Sequence, residues 1–305
     1  MYLTTALLLL LSLAPIAFLL WYFDSLDKEQ KESRRFLWSI FLWGVIITFV
    51  AGFVEYFLAP FAASLFTHPL TQAFIIAFIV TAFTEEGLKF AVVKKKAYDH
   101  PAFNEYYDGV IYSVVASLGF AALENIFYVM EGGMYIAIIR ALLAVPAHAL
   151  FGAFMGYYIS MARFEKTKKK EQQFLLKGLF YAIFFHGLYD FLLLSNSSVA
   201  LFVIPLILLL YISVRRKIRH LHYLDNIKDV SMPPKWTIGS IIKLCIGMLF
   251  FTLGLLTIFV IALYITNDPL GHGLFTTGEF SIPISASFAA FSLLIAFALI
   301  REKKV

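Results

Sequence analysis

Apolar stretches of about membrane-spanning length recur along the whole chain, and they constrain the fold more than any other feature. Leu3–Phe23, for example, contains no charged residue. A helix needs about 20 such residues to cross a hydrocarbon core of about 30 Å. Only helices or closed barrels satisfy every backbone group there, and runs this long read as helices. The pattern predicts spans at Leu3–Phe23, Phe36–Leu58, Leu70–Val93, Gly109–Met130, Met134–Met161, Gln173–Leu194, Val199–Val214, Gly239–Thr266 and Phe280–Ile300. Composition agrees: 61% of the 305 residues are hydrophobic and 15% charged, against about 45–50% and about 25% in soluble domains. The expected fold is all-α, a polytopic transmembrane helix bundle of about nine spans.

Cations order these spans. Of 25 Lys and Arg, all but Lys89, Arg140, Lys177 and Lys243 fall in one alternate set of loops and the C-terminal tail. Positive loops stay cytoplasmic, so the N-terminus is expected outside and the C-terminus inside. The seventh span is short and contains Pro205. Removing it would put the six-cation loop Arg215–Ile238 outside, so the charge pattern retains it. The first span lacks a basic flank and a small-residue cleavage site, and reads as a span rather than a leader. The net charge of +5 sits in these loops; attraction to anionic lipid heads explains it without nucleic acid. A single cysteine, Cys245, excludes an intrachain disulfide.

Polar residues divide the chain into residues 1–69 with two plain helices, 70–194 with a four-helix core, and 195–305 with three further helices and the basic loop. Glu55 and Lys243 are the exceptions in the plain helices, close enough to a predicted end to snorkel. The core holds Glu85, Glu86 and Lys89; Glu124 and Asn125; Arg140 and His148; and His186 and Asp190. Ionisable groups at mid-membrane cost roughly 2.5–3.5 kcal/mol each, so four acids and two histidines oppose insertion by on the order of 10 kcal/mol. Groups that expensive are expected to face one another or a wet cavity.

Spacing assigns faces. Lys89 follows Glu85 by four and Glu86 by three, so it can reach either carboxylate. The two glutamates point about 100° apart, as 3.6 residues per turn requires. One is therefore expected to be held by Lys89 while the other faces a cavity. His186 and Asp190 share a face. His148 continues into Gly152 and Gly156, a small-residue stripe that admits a close neighbour. Pro146 is expected to free a carbonyl and kink the helix beside His148. Counted along the predicted spans, Glu85 and His148 lie about 20 Å from the outer end, whereas Glu124, His186 and Asp190 lie only about 5–12 Å from it.

Paired carboxylates and imidazoles can take a proton from water and steady a developing oxyanion. Two histidines with carboxylates can also hold Zn²⁺. No H-E-x-x-H or G-x-S-x-G motif is present, and no Gly-x-Gly-Asp follows Tyr189-Asp190. Over about residues 83–191 the chain resembles the PrsW family of membrane proteases, within the superfamily of CAAX prenyl endopeptidases and bacteriocin-processing proteins. Glu85-Glu86-Gly-Leu-Lys89 is similar to its paired-glutamate motif, and Phe120-Ala-Ala-Leu-Glu124 to the second, where CAAX enzymes have His. His148 lies in the third-motif helix, and His186-Gly-Leu-Tyr-Asp190 is similar to the last.

The resemblance implies an intramembrane endopeptidase of a bacterial plasma membrane, cleaving a single-span, anti-sigma-factor-like protein. It assigns catalysis to Glu85, Glu86, Glu124, His148 and His186, supported by Lys89, Asn125 and Asp190. If a metal such as Zn²⁺ is bound, the expected ligands are Glu86, Glu124, His148 and His186. An ion-coupled transporter or a non-catalytic membrane receptor would use the same buried acids differently.

Overall fold

A computed structural model describes residues 2–27, 30–195 and 198–225. The eighth and ninth predicted spans, Lys243 and Cys245 lie outside the described residues. Every regular element among those described is helical: α1 (Tyr2–Leu26), α2 (Arg34–Leu65), α3 (Pro69–Phe74), a π-helix (Ile75–Ala82), α4 (Phe83–Lys96), α5 (Asp108–Leu142), α6 (Ala144–Arg163), α7 (Lys168–Leu194), a 3₁₀ turn (Ser198–Phe202) and α8 (Val203–Leu224). Among the described residues, five stretches are long and apolar enough to cross a membrane: Thr5–Leu26, Arg34–Leu65, Asp108–Arg163 (which contains α5 and α6), Lys168–Leu194 and Val199–Leu224. The chain is a multi-pass membrane protein.

The described chain forms two compact units. In one, Met1–Phe18 and Asn125–Leu142 come together. Leu11, Val129 and Ala137 form its apolar contact. Asn125 donates to the Ser12 carbonyl at 2.7 Å and accepts from Arg140 Nε at 2.7 Å. Arg140 also lies 4.2 Å from the Tyr128 ring centre. Within α5, Gly133 has φ 70° and ψ −159°, a conformation open essentially to glycine alone.

Among the described residues, the other unit comprises 19–124 and 143–225. Its helices meet through small residues. A Cβ on Gly44 would strike the carbonyl oxygen of Ala116, and one on Gly119 that of Phe41, so α2 and α5 touch backbone to backbone. Gly156 similarly meets Gly109 on α5, which is the close approach expected of the Gly152–Gly156 stripe.

Two expectations about helix ends change. The predicted fifth span, Met134–Met161, is broken at Leu143 (φ −118°, ψ −63°), and α6 begins at Ala144. Pro146 therefore sits in a first turn, where a missing N–H leaves no intrahelical bond unmade, and it starts a helix rather than kinking one. Pro205 occupies the same kind of position in α8. The segment expected as the loop Arg215–Ile238 is helical as far as Leu224. Arg215 is 8% exposed and donates to Tyr22 Oη at 2.9 Å, because a guanidinium so placed can pair inside the bundle instead of meeting lipid heads.

Candidate active site

The second unit gathers the polar residues of four helices. The π-helix ends where they begin: Phe83 N–H bonds to the Phe78 carbonyl, five residues back. Such wider turns recur at functional sites because they reset which side chains face a neighbour. Glu85, Glu86 and Lys89 follow immediately and are 3%, 0% and 1% exposed.

Lys89 is the hub. Its Nζ lies 2.9 Å from Glu85 Oε2, 2.8 Å from Glu86 Oε1 and 3.2 Å from His148 Nδ1. An ammonium has three donors and no acceptor, and these three neighbours take one each. Both glutamates thus reach Lys89, where the 100° separation suggested only one would. The i+3 and i+4 positions each come within its reach. The Phe120 ring, 4.1 Å from Nζ, closes the remaining side as a cation–π contact.

His148 comes from the start of α6. Because Lys89 can only donate, Nδ1 accepts, and Nε2 carries the proton toward Glu124 Oε2 at 2.9 Å. Glu124 therefore grips the side of the ring away from Lys89. His186, on α7, has Nδ1 2.8 Å from Glu86 Oε1 and Nε2 3.3 Å from Asp190 Oδ2. Its ring stacks on Phe151, with centroids 5.1 Å apart and planes at 18°. Gly187 beside it lets the Phe78 ring of the π-helix lie against α7, where any Cβ would collide.

The break at Leu143 removes the depth mismatch for His148. His148 lies four residues into α6, about 6 Å along it, rather than deep in one long span. The structure brings together Glu85, Glu86, Lys89, Glu124, His148, His186 and Asp190. It places Asn125 in the other unit, bonded to Ser12 and Arg140. Donor atoms of Glu85, Glu86, His148 and His186 lie within 4.8 Å of one another. Glu124, expected in a ligand set, is outside that group and Glu85 is inside it, because Glu124 engages the far nitrogen of His148.

Sequence reasoning passed over Glu55. The predicted second span ended at Leu58, which put Glu55 near an interface. The helix continues through Pro60 to Leu65, so Glu55 stands ten residues, about 15 Å, from its end. The apolar run beyond Pro60 was the available signal.

A polytopic helical membrane protein with buried, mutually bonded glutamates, histidines and a lysine has the equipment of a membrane-embedded hydrolase. The family model described as PrsW family intramembrane metalloprotease matches residues 32–214. The chain belongs to the PrsW family of intramembrane proteases. Protease PrsW of Geobacillus kaustophilus is 39% identical over 206 residues, covering 68% of this chain and 88% of the relative. Protease PrsW of Bacillus subtilis is 35% identical over 199 residues, 65% of this chain and 88% of the relative. Protease PrsW of Halalkalibacterium halodurans is 36% identical over 220 residues, 72% and 99%. No solved structure matches the chain significantly.

Proposed function

We propose that this protein hydrolyses a peptide bond of a single-span membrane protein, with water activated by the Glu85–Glu86 pair. The observation that carries the reading is the state of Glu86. Its Oε1 is held by Lys89 and His186, while Oε2 is buried and has no partner among the described residues. An oriented carboxylate with one unengaged oxygen is what a general base requires. Glu86 Oε2 takes a proton from water, the water oxygen bonds to the scissile carbonyl carbon, and the C–N bond breaks as that proton passes to the leaving nitrogen. Lys89 holds both carboxylates in register. His186 supplies an N–H to the developing oxyanion through Nε2, whose 3.3 Å bond to Asp190 is the longer of its two. Glu124 orients His148.

Two carboxylates and two imidazoles are also a donor set that zinc accepts. The unpartnered Glu86 Oε2 fits that use, so Glu85, Glu86, His148 and His186 would hold a divalent ion. Lys89 draws on three of those four residues, so ammonium and ion compete for the same lone pairs. A metal held there would act as a Lewis acid toward the scissile carbonyl.

The cation pattern supports a plasma-membrane orientation with the N-terminus outside. The family resemblance supports an anti-sigma-factor-like substrate. A transporter is not favoured: the buried groups converge on one centre, and the relatives are proteases. The test is proteomic. Membranes from cells with wild-type protein are compared with those carrying Glu85→Ala/Glu86→Ala, and a single-span protein shortened only with wild type is expected. Identical membrane proteomes would contradict the proposal.

A further inference from the structure

Glu55 stands on α2, a helix that the sequence pattern left outside the candidate site. α2 packs against both the π-helix and α4. Glu55 interacts electrostatically with Glu85, Glu124, His186 and Lys89. Its Oε1 is buried and has no hydrogen-bond partner among the described residues. Around it on the same helix, Phe53, Tyr56 and Phe57 are 67%, 75% and 58% exposed, an apolar face suited to lipid. Glu55 thus stands where the lipid-facing surface turns inward. One turn on, Pro60 removes the N–H that would have bonded the Tyr56 carbonyl, so this stretch of α2 carries a second acceptor without its helical donor.

A buried acceptor left unpaired costs roughly 1–3 kcal/mol, and native structures hold few. Two such oxygens, Glu55 Oε1 and Glu86 Oε2, lie on α2 and α4, helices that pack against each other. A spanning substrate supplies what they lack. Its scissile carbonyl becomes open to attack only when the helix around it unwinds, and unwinding frees N–H groups that hydrocarbon cannot satisfy.

We propose that Glu55 is a substrate-binding residue whose Oε1 accepts a backbone N–H of the unwound substrate segment as it passes from the lipid-facing side of α2 to the Glu85–Glu86 pair. The inference rests on the hydrolase reading. It adds a class requirement: the substrate must present extended backbone, so segments that unwind easily, with Gly or Pro near the cut, are favoured.

The test uses the full-length protein and the single-span substrate that wild type shortens and Glu85→Ala/Glu86→Ala does not. Glu55→Gln keeps a carbonyl oxygen and is expected to stay within about twofold of wild-type KM. Glu55→Leu removes the acceptor and is expected to raise KM roughly tenfold, the equivalent of one hydrogen bond, with kcat little changed. A merely structural role would lower the active fraction and kcat and leave KM alone; that result, or an unchanged KM in Glu55→Leu, overturns the inference while the hydrolase reading stands. Should Glu55→Leu fail to fold, a photo-crosslinking amino acid at Phe53 in a Glu86→Gln background is expected to capture the substrate, and absence of the crosslink overturns the inference. A wild type that cleaves nothing overturns the hydrolase reading and this inference with it.

Discussion

Nζ of Lys89 lies 3.2 Å from Nδ1 of His148, so an ammonium that can only donate fixes the tautomer of the imidazole beside it. The same nitrogen bridges Glu85 and Glu86. One side chain from α4 therefore sets the chemistry of residues on α4 and α6.

Removing that side chain has two expected effects. Lys89→Met takes the ammonium from both buried carboxylates and leaves His186 as the remaining partner of Glu86, and a loss of about 3–5 kcal/mol is expected for breaking such a cluster. Because the ammonium and a divalent ion compete for the same atoms, zinc should restore part of the lost stability in Lys89→Met and raise the wild-type melting temperature less. Thermal unfolding in detergent with and without zinc measures both. Equal zinc responses would contradict the competition.

Glu124 bonds to Nε2 of His148 at 2.9 Å, and in the proposed mechanism it works through that ring. Glu124→Ala is expected to lower kcat about 10–100-fold, the range for groups that orient a working histidine. Glu124→Gln keeps an acceptor for the Nε2 proton and should lose less. Cleavage kinetics of both variants, beside their melting temperatures, check it. A loss in kcat matched by loss of folded protein would show a packing role instead.

The break in α5 depends on glycine. Gly133→Ala forces a Cβ into a backbone conformation that costs roughly 1–3 kcal/mol. A lower melting temperature is expected. An unchanged one would mean the helix passes position 133 without this turn.

Asp27, between α1 and α2, is 3% exposed. Burial pushes its carboxyl up to about 6, partly offset by Lys31. A raised folded value means that the cost of ionising Asp27 is absent below about pH 4, grows between about 4 and 6, and is fully present above. Asp27→Asn should therefore stabilise the protein at pH 7, by on the order of 1 kcal/mol, with the gain gone near pH 4. Melting curves of the two proteins across that range measure it.

Much of the site was legible because lipid makes buried charge costly. That cost singled out the helices carrying Glu85, Glu124, His148 and His186, and helical spacing tied Lys89 to the glutamates. The misreadings share a cause: apolar sequence does not mark where a helix stops or changes pitch. Leu143 breaks a helix without a Gly or Pro at that position, and Ile75–Ala82 carries no residue that distinguishes a π-helix from an α-helix. Pro60 looks like an end and is not, which hid Glu55. Arg215 looked like a loop cation because its partner, Tyr22, is nearly two hundred residues away in sequence. Asn125 followed Glu124 into the site by adjacency alone, and helix rotation turns it elsewhere.

The most direct test of a water-activating Glu85–Glu86 pair is cleavage by purified Glu86→Gln protein in ¹⁸O-labelled water. Gln matches Glu in shape, and its amide cannot take the proton. Wild type should place one labelled oxygen in the new carboxyl terminus, and Glu86→Gln, folded to the same melting temperature, should cleave at least about 10²-fold more slowly. Cleavage by Glu86→Gln at the wild-type rate would contradict the assignment of the base.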